Sequence, residues 1–280
     1  MRKLPIIAVL ISALSVSVAH AEDIISRFTI RDQGQFAVDG DLSAQKITGS
    51  EIDRTGSGNT VNGQPAFDGT FRSYSSAATV DANVGLGYGL ELFASLPYVL
   101  RDYSETKFNT GQDDIFNSNG FSDATIGLKY RLFKGADGTN EVLFRGSFLH
   151  HSDSSGNMLA ELDYLHTFSQ AIKIALSARY TKVQGGPDDT GYGAYLMWQS
   201  SPQITVVPFV YAERENAANT YSANNSFEGG LELRYSPVKS WNITPRLTMT
   251  HADERDTNYY ANDHGSQNTV AGSITIQKEF

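Results

Sequence analysis

The sequence predicts an all-β chain closed into a transmembrane, antiparallel, up-and-down barrel of about 12 strands. Three observations predict it. Apolar and polar residues alternate with a period of two along most of the chain, the side-chain period of a strand with two unlike faces. The patterned segments are joined by connections that alternate between short and long, as in barrels with turns on one side of a membrane and loops on the other. Aromatic residues collect near the segment ends, where a barrel meets lipid headgroups.

The front end stands apart. Arg2 and Lys3 precede a mostly apolar run over 4–18, and Ala19-His20-Ala21 has the small-x-small form of a cleavage site. Residues 1–21 read as a secretory signal peptide, too short for a stop-transfer anchor, and 22–280 as one barrel domain. Losing Arg2 and Lys3 takes the formal charge from -9 to -11, which argues against a nucleic-acid partner. The chain has no cysteine, hence no disulfide framework and no thiolate metal site. No other apolar run approaches the roughly 20 residues of a membrane helix.

From Glu22 to Gln35 no strand pattern stands out. The first strand reads from Phe36, with Val38, Leu42 and Ala44 on one face, Asp39 and Asp41 on the other, and Gly40 interrupting. Residues 49–69, rich in Gly, Ser, Asn and Thr, read as a long loop. The second strand, 71–84, sets Tyr74, Ala78, Val80 and Ala82 against Asp81 and Asn83, and Gly85, Gly87 and Gly89 make a short turn. The third sets Leu90, Leu92, Leu96, Tyr98 and Leu100 against Glu91, Ser95 and Arg101. Pro97 lacks a ladder donor, so it belongs at a bulge or near the rim. A second polar loop spans 102–120.

The fourth strand, 121–133, alternates Ala124, Ile126, Leu128, Tyr130 and Leu132 with Asp123, Lys129 and Arg131. Val142 to Phe148 is the fifth, with Arg145 on its polar face. The sixth, 158–168, carries Glu161 and Asp163, and the seventh, 172–180, carries Lys173 and Arg179. The eighth, through Tyr192, Leu196 and Trp198, follows a loop over 184–189. The ninth, 204–213, is apolar on both faces near Val206, Val207 and Phe209. The tenth sets Phe227, Leu231, Leu233 and Tyr235 against Glu228, Glu232 and Arg234. The eleventh sets Trp241, Ile243, Leu247 and Met249 against Asn242, Thr244 and Arg246. The last, 268–280, sets Val270, Ile274, Ile276 and Phe280 against Thr269, Thr275, Gln277 and Glu279.

An even strand count puts both termini on the short-turn side. Tyr88, Tyr130, Trp198, Tyr235, Trp241 and Phe280 lie near short turns and are the expected girdle residues there. A soluble β-sandwich also alternates. It would not carry outward faces this uniformly apolar with charges at mid-strand on the other face.

The closing strand, ending on Phe280, resembles the C-terminal signal of bacterial outer-membrane barrels. That resemblance implies the barrel-assembly machinery as a partner, an outer-membrane location, and lipid and lipopolysaccharide as surroundings. Residues 120–132, G-F-S-D-A-T-I-G-L-K-Y-R-L, with Gly85-Leu86-Gly87-Tyr88-Gly89 and Leu96-Pro97-Tyr98, resemble the outer-membrane family of the meta-pathway of phenol degradation. The likeness covers 80–132, and Ser122 departs from the commoner Gly-x-Gly-Asp. It implies a transporter linked to aromatic-compound catabolism, with no catalytic residue.

With the apolar face in lipid, the charges point inward, where each needs water or a partner. Arg101, Arg131, Arg145, Arg179 and Arg246 are the candidate lumen residues for an anionic permeant, with Glu91, Asp123, Glu161 and Asp163 as the acidic counterpart. About 12 strands fall between a filled barrel and an open channel, so a wet pore and a lumen laced shut by salt bridges both remain open. The expected function is a passive channel for small organic solutes, which the family resemblance implies are aromatic acids or phenolic compounds, with no enzyme activity, cofactor or metal. Two alternatives stand beside it. His150 and Ser152 share a face two residues apart and have the residue types of a lipid hydrolase, without a third group to orient the histidine. A closed structural barrel whose loops bind a surface partner is the other. Acidic pairs such as Asp113-Asp114, Asp188-Asp189 and Asp253-Glu254 match no calcium-loop spacing.

Overall fold

The computed structural model describes residues 23–54, 67–108, 113–150, 156–184, 187–217, 223–253 and 261–280. The proposed signal peptide lies outside them. The strands are β1 (Phe36–Arg54), β2 (Phe67–Gly87), β3 (Leu90–Phe108), β4 (Asp113–Phe121), β5 (Ala124–Lys134), β6 (Asn140–His150) and β7 (Gly156–Thr167). They continue as β8 (Ile172–Lys182), β9 (Asp189–Ser201), β10 (Ile204–Glu215), β11 (Asn224–Val238), β12 (Trp241–Ala252) and β13 (Ala261–Glu279). Consecutive strands pair antiparallel except β4 and β5, which both pair with β3, and β1 pairs with both β2 and β13, so the sheet closes on itself.

β4 and β5 are two halves of one stave. β5 pairs with β3 from Leu90↔Tyr130 to Ser95↔Thr125, and β4 pairs with it from Tyr98↔Phe121 to Lys107↔Asp113. Counted together they give the 12-strand barrel expected from the pattern. The break falls opposite Pro97, which has no N–H to donate. The Ser122 N–H instead donates to the Pro97 carbonyl at 3.0 Å, and Gly120 adopts a φ of +134° that a side chain would resist.

Several strands run further than the alternation suggests. β1 reaches Arg54, β2 starts at Phe67, β3 reaches Phe108 and β4 starts at Asp113, all inside stretches whose composition reads as loop. β1 and β2 have 19 and 21 residues, against 11 each for β6 and β8. A strand needs only about 9–11 residues to cross the hydrocarbon. The excess lies on the long-loop side, where neither face meets lipid and the apolar–polar signature fades.

The barrel is inverted relative to a soluble protein. Leu42, Val80, Leu96, Ile126, Leu176, Leu231 and Ile274 are exposed on the outside. Asp39, Glu91, Lys129, Glu161, Glu232 and Gln277 are buried on the inside. A continuous apolar exterior on a closed sheet is suited to hydrocarbon, and the architecture is that of a bacterial outer-membrane barrel.

The ends meet at an aromatic clasp. Phe36 and Phe280 exchange backbone hydrogen bonds of 2.8 and 3.3 Å, and their rings stack with centroids 4.4 Å apart and planes within 5°. Replacing Phe280 with Ala removes the stack while leaving the backbone ladder. We expect a loss of about 1 kcal/mol in urea unfolding of the refolded barrel in lipid vesicles, and slower closure in the same refolding reaction.

Candidate functional site

The functional geometry centres on the chain between Asp23 and Gln35, which the strand pattern leaves blank. It turns into the barrel. Its first residues form a single helical turn, α1 (Ile24–Arg27). Asp23 caps it, its carboxylate accepting from the Ser26 N–H and hydroxyl, each at 2.8 Å. The chain then leaves along the wall and enters β1 at the short-turn rim.

An apolar pocket receives this turn. Ile24 and Phe28 pack with Leu165, Ala175, Tyr195, Met197, Val207 and Phe209, and the Phe28 ring meets Tyr195 edge-on at 5.0 Å. This explains the doubly apolar ninth strand of the sequence pattern. Val207 and Phe209 face inward because the segment, not water, fills the lumen at their level.

Polar contacts tie the segment to the wall on many sides. Arg27 pairs with Glu161 on β7 and donates to the Tyr195 hydroxyl on β9 at 3.0 Å. The Ile24 N–H donates to Glu232 on β11 at 3.0 Å, and Arg234 lies 3.5 Å from Asp23. Gln277 on β13 donates to the Ser26 hydroxyl at 2.9 Å. The Lys129 ammonium on β5 donates to the Ser26 carbonyl at 2.9 Å and to Glu91 at 3.1 Å. Glu91 on β3 also accepts from the Arg31 backbone at 2.7 Å and from its guanidinium at 3.0 Å. Partners on six strands around the ring put the segment across the lumen.

The exit is equally close-fitting. Gly34 donates to the Gly85 carbonyl at 3.0 Å, and Gly85 donates to the Gln35 carbonyl at 2.9 Å. A Cβ on Gly85 would stand 2.1 Å from the Asp32 carbonyl oxygen and 2.5 Å from that of Arg31. Both are backbone atoms that cannot swing aside.

The predicted lumen residues divide into groups. Glu91 and Glu161 hold the segment directly. Arg246 donates to Glu232 at 2.9 and 2.6 Å and so steadies the carboxylate that caps Ile24. Asp163 is buried one inward step from Glu161 on β7. Arg145 is half-buried with its guanidinium 4.6 Å over the Phe93 ring. Arg179 pairs with Glu213 at 3.1 Å and lies 4.9 Å over Tyr211, on the loop-ward side. Arg131 pairs with Glu141 at 2.9 Å beside the short turn between β5 and β6. Asp123 sits half-buried in the break between β4 and β5.

Arg101 departs from the expected face. The register of β2 against β3 slips between Ser76↔Arg101 and Ala77↔Val99, leaving Leu100 as the extra residue of a bulge. A bulge reverses the alternation beyond it. Arg101 is therefore exposed on the side of Tyr74, and its guanidinium lies 5.6 Å over the Tyr103 ring. The girdle candidates are all exposed: Tyr88 completely, in a left-handed turn residue with φ 53°, and Tyr130, Trp198, Tyr235, Trp241 and Phe280 in part. Lys278 caps two of them, 4.9 Å over Trp241 and 5.5 Å over Phe280. His150 ends β6 with its ring 6.4 Å from that of Phe148, and Ser152 lies outside the described residues.

No family model matches the chain, and no curated protein does. Solved structures match in fold. The translocator domain of the autotransporter NalP from Neisseria meningitidis is 12% identical over 98% of each chain, with a TM-score of 0.53. An outer-membrane channel from Pseudomonas putida F1 is 11% identical over 90% of this chain and 97% of that one, with a TM-score of 0.52. A KdgM porin solved in complex with disordered oligogalacturonate is 8% identical over 85% and 99%, with a TM-score of 0.50. At these identities the likeness is one of fold.

Two substitutions test the docking. Glu91→Gln leaves Arg31 and Lys129 facing one neutral amide, and breaking a buried pair this way costs about 3–5 kcal/mol. Gly85→Ala forces the backbone of Arg31 and Asp32 off the wall. Each should accelerate amide hydrogen exchange over 23–35 by at least about 100-fold. Exchange in β7 to β12 should stay as in the wild type.

Proposed function

We propose that this barrel is an outer-membrane channel for small organic solutes, closed at rest by its own segment 23–35. The observation that carries the reading is the nature of the plug. It is a short turn held by ion pairs and hydrogen bonds to the wall, which an incoming solute or a change in the segment can exchange one for another. A purely structural barrel of this girth would fill its lumen with side chains from its own strands. Loop-ward of the plug the inner face carries small and hydroxylic residues, among them Ser73, Ser75, Ser104, Thr106 and Thr250, beside larger ones such as Phe71, Arg179 and Tyr211.

An anionic solute suits the charges. Arg179 and Arg246 face the lumen, Arg179 pairing with Glu213 and Arg246 with Glu232. A carboxylate on a permeant can compete for either arginine. Competition at Arg246 also frees Glu232 from its partner, and Glu232 is what holds the Ile24 N–H. Aromatic acids are the solutes favoured by the resemblance of residues 80–132 to the phenol-degradation family. Barrels described as a channel and as a porin share the fold.

Planar-bilayer recording tests this reading. Wild-type mature protein should be mostly closed. Deleting 23–31, or combining Arg27→Ala with Arg31→Ala, should raise the open probability by roughly 100-fold, the effect of losing a few kcal/mol of closed-state preference. Benzoate-like anions should block the open variant, and Arg179→Gln should weaken that block. A barrel that folds without its plug and stays silent would sink the proposal.

A further inference from the structure

The displaced Arg101 belongs to a cluster on the outer surface. Lys46, Tyr74 and Tyr103 form one row across β1, β2 and β3, through the pairs Lys46↔Tyr74 and Tyr74↔Tyr103. Arg101 stands opposite Ser76, one outward step toward the short turns, and Arg72 stands opposite Thr48 and Glu105, one outward step toward the loops. Strand spacing and rise confine the group to a patch about 10 Å across the strands and about 13 Å along them. All three cations are exposed.

The contacts of Lys46 and Arg101 are aromatic rather than acidic. The Lys46 ammonium lies 5.7 Å over the Tyr74 ring and Arg101 lies 5.6 Å over Tyr103. Among the described residues none of Lys46, Arg72 and Arg101 has a carboxylate within ion-pair distance. Glu105, which shares this face, pairs with Lys107 at 3.0 Å. Elsewhere an outward lysine near a loop end is neutralised: Lys182 lies 3.0 Å from Asp188.

The patch has a fixed height in the membrane. Leu42 and Ala44 precede Lys46 on the outer face of β1, and Val80 and Ala78 lie beyond Tyr74 on β2. Leu96, Tyr98 and Leu100 lie below Arg101 on β3. The cations thus begin where the apolar band ends, on the loop side. An Arg or Lys on the lipid face costs little there and about 2–4 kcal/mol at mid-bilayer. A ligand held at this boundary must offer negative charge at headgroup level and hydrocarbon immediately beneath it. A soluble anion offers only the first.

We propose that Lys46, Arg72 and Arg101, braced by Tyr74 and Tyr103, form a binding site for the phosphorylated glycolipid of the outer leaflet. The phosphates pair with the three cations, and the acyl chains lie along Leu42, Val80, Leu96 and Leu100. The Leu100 bulge serves the site by turning Arg101 out of the lumen. Guanidinium groups suit phosphate through paired N–H donors.

The test uses the full mature barrel in detergent, titrated with bisphosphorylated lipid A and followed by native mass spectrometry. One-to-one binding is expected. The triple variant Lys46→Gln, Arg72→Gln, Arg101→Gln should bind at least roughly tenfold more weakly, and Lys182→Gln should bind as the wild type does. Folding is checked by heat-modifiable gel mobility. Should the triple variant not fold, Arg101→Gln alone should still show a measurable weakening. Equal binding of dephosphorylated lipid A would reduce the site to apolar contact and overturn the proposal. Equal displacement by millimolar inorganic phosphate would make it a free-anion site and overturn it as well. So would unchanged affinity in the folded variant.

Discussion

Charge inside a closed sheet has to be answered by charge. Lipid outside forces the ionisable residues within the apolar band inward, so the lumen inherits Glu91, Glu161, Glu232, Lys129 and Arg246 together. Some of these settle within the wall, as Arg246 does with Glu232. Wall cations flank others, with Arg145 and Arg179 opposite Glu161 and Lys129 paired with Glu91, and the plug adds to them. Arg27 and Arg31 of the entering segment meet Glu161 and Glu91, and Asp23 meets Arg234. The plug is thus part of the electrostatic solution of the barrel, and the barrel's interior would be costly without it unless water replaced it.

That dependence fixes where the segment runs. Ile24 and Phe28 need an apolar recess, which β10 provides by breaking its own alternation at Val207 and Phe209. The return to β1 needs a place where two backbones can touch, which the missing side chain of Gly85 provides. A covalently tethered plug closes its own pore at high effective concentration. In the proposed channel, individually modest contacts are then enough to keep the lumen closed, and a guest need only compete with some of them.

The barrel was legible in the sequence because lipid enforces it. Where one face must be apolar and the other not, a period of two survives, as it does in β2, β3, β5, β8, β11 and β13. The plug was not legible because nothing periodic marks it. Residues 23–31 carry a different signal, a capping Asp23, apolar Ile24 and Phe28 four apart, and Arg27 and Arg31 four apart. That is a helical turn with one greasy and one basic side. Its meaning depends on acids that arrive from strands far along the chain. Likewise the loop-like composition of 49–69 and 102–120 hid strand ends, since beyond the membrane a strand has no obligation to alternate.

Arg101 shows the same limit at single-residue scale. Alternation assigns a face only while the register holds, and one extra residue reverses every assignment beyond it. Leu100 is that residue, and it sits three positions after Pro97, whose missing donor already interrupts the ladder with the neighbouring stave. The two irregularities fall in the same short piece of β3, and the bulge shifts the register against both β2 and β4. A regular β3 would carry Arg101 inward, one more cation facing the loop-ward lumen. The irregular strand moves it to the membrane boundary, where Tyr103 and Tyr74 can pack against it. The bulge therefore decides which solvent this arginine serves, and it does so without changing any residue in the apolar band below.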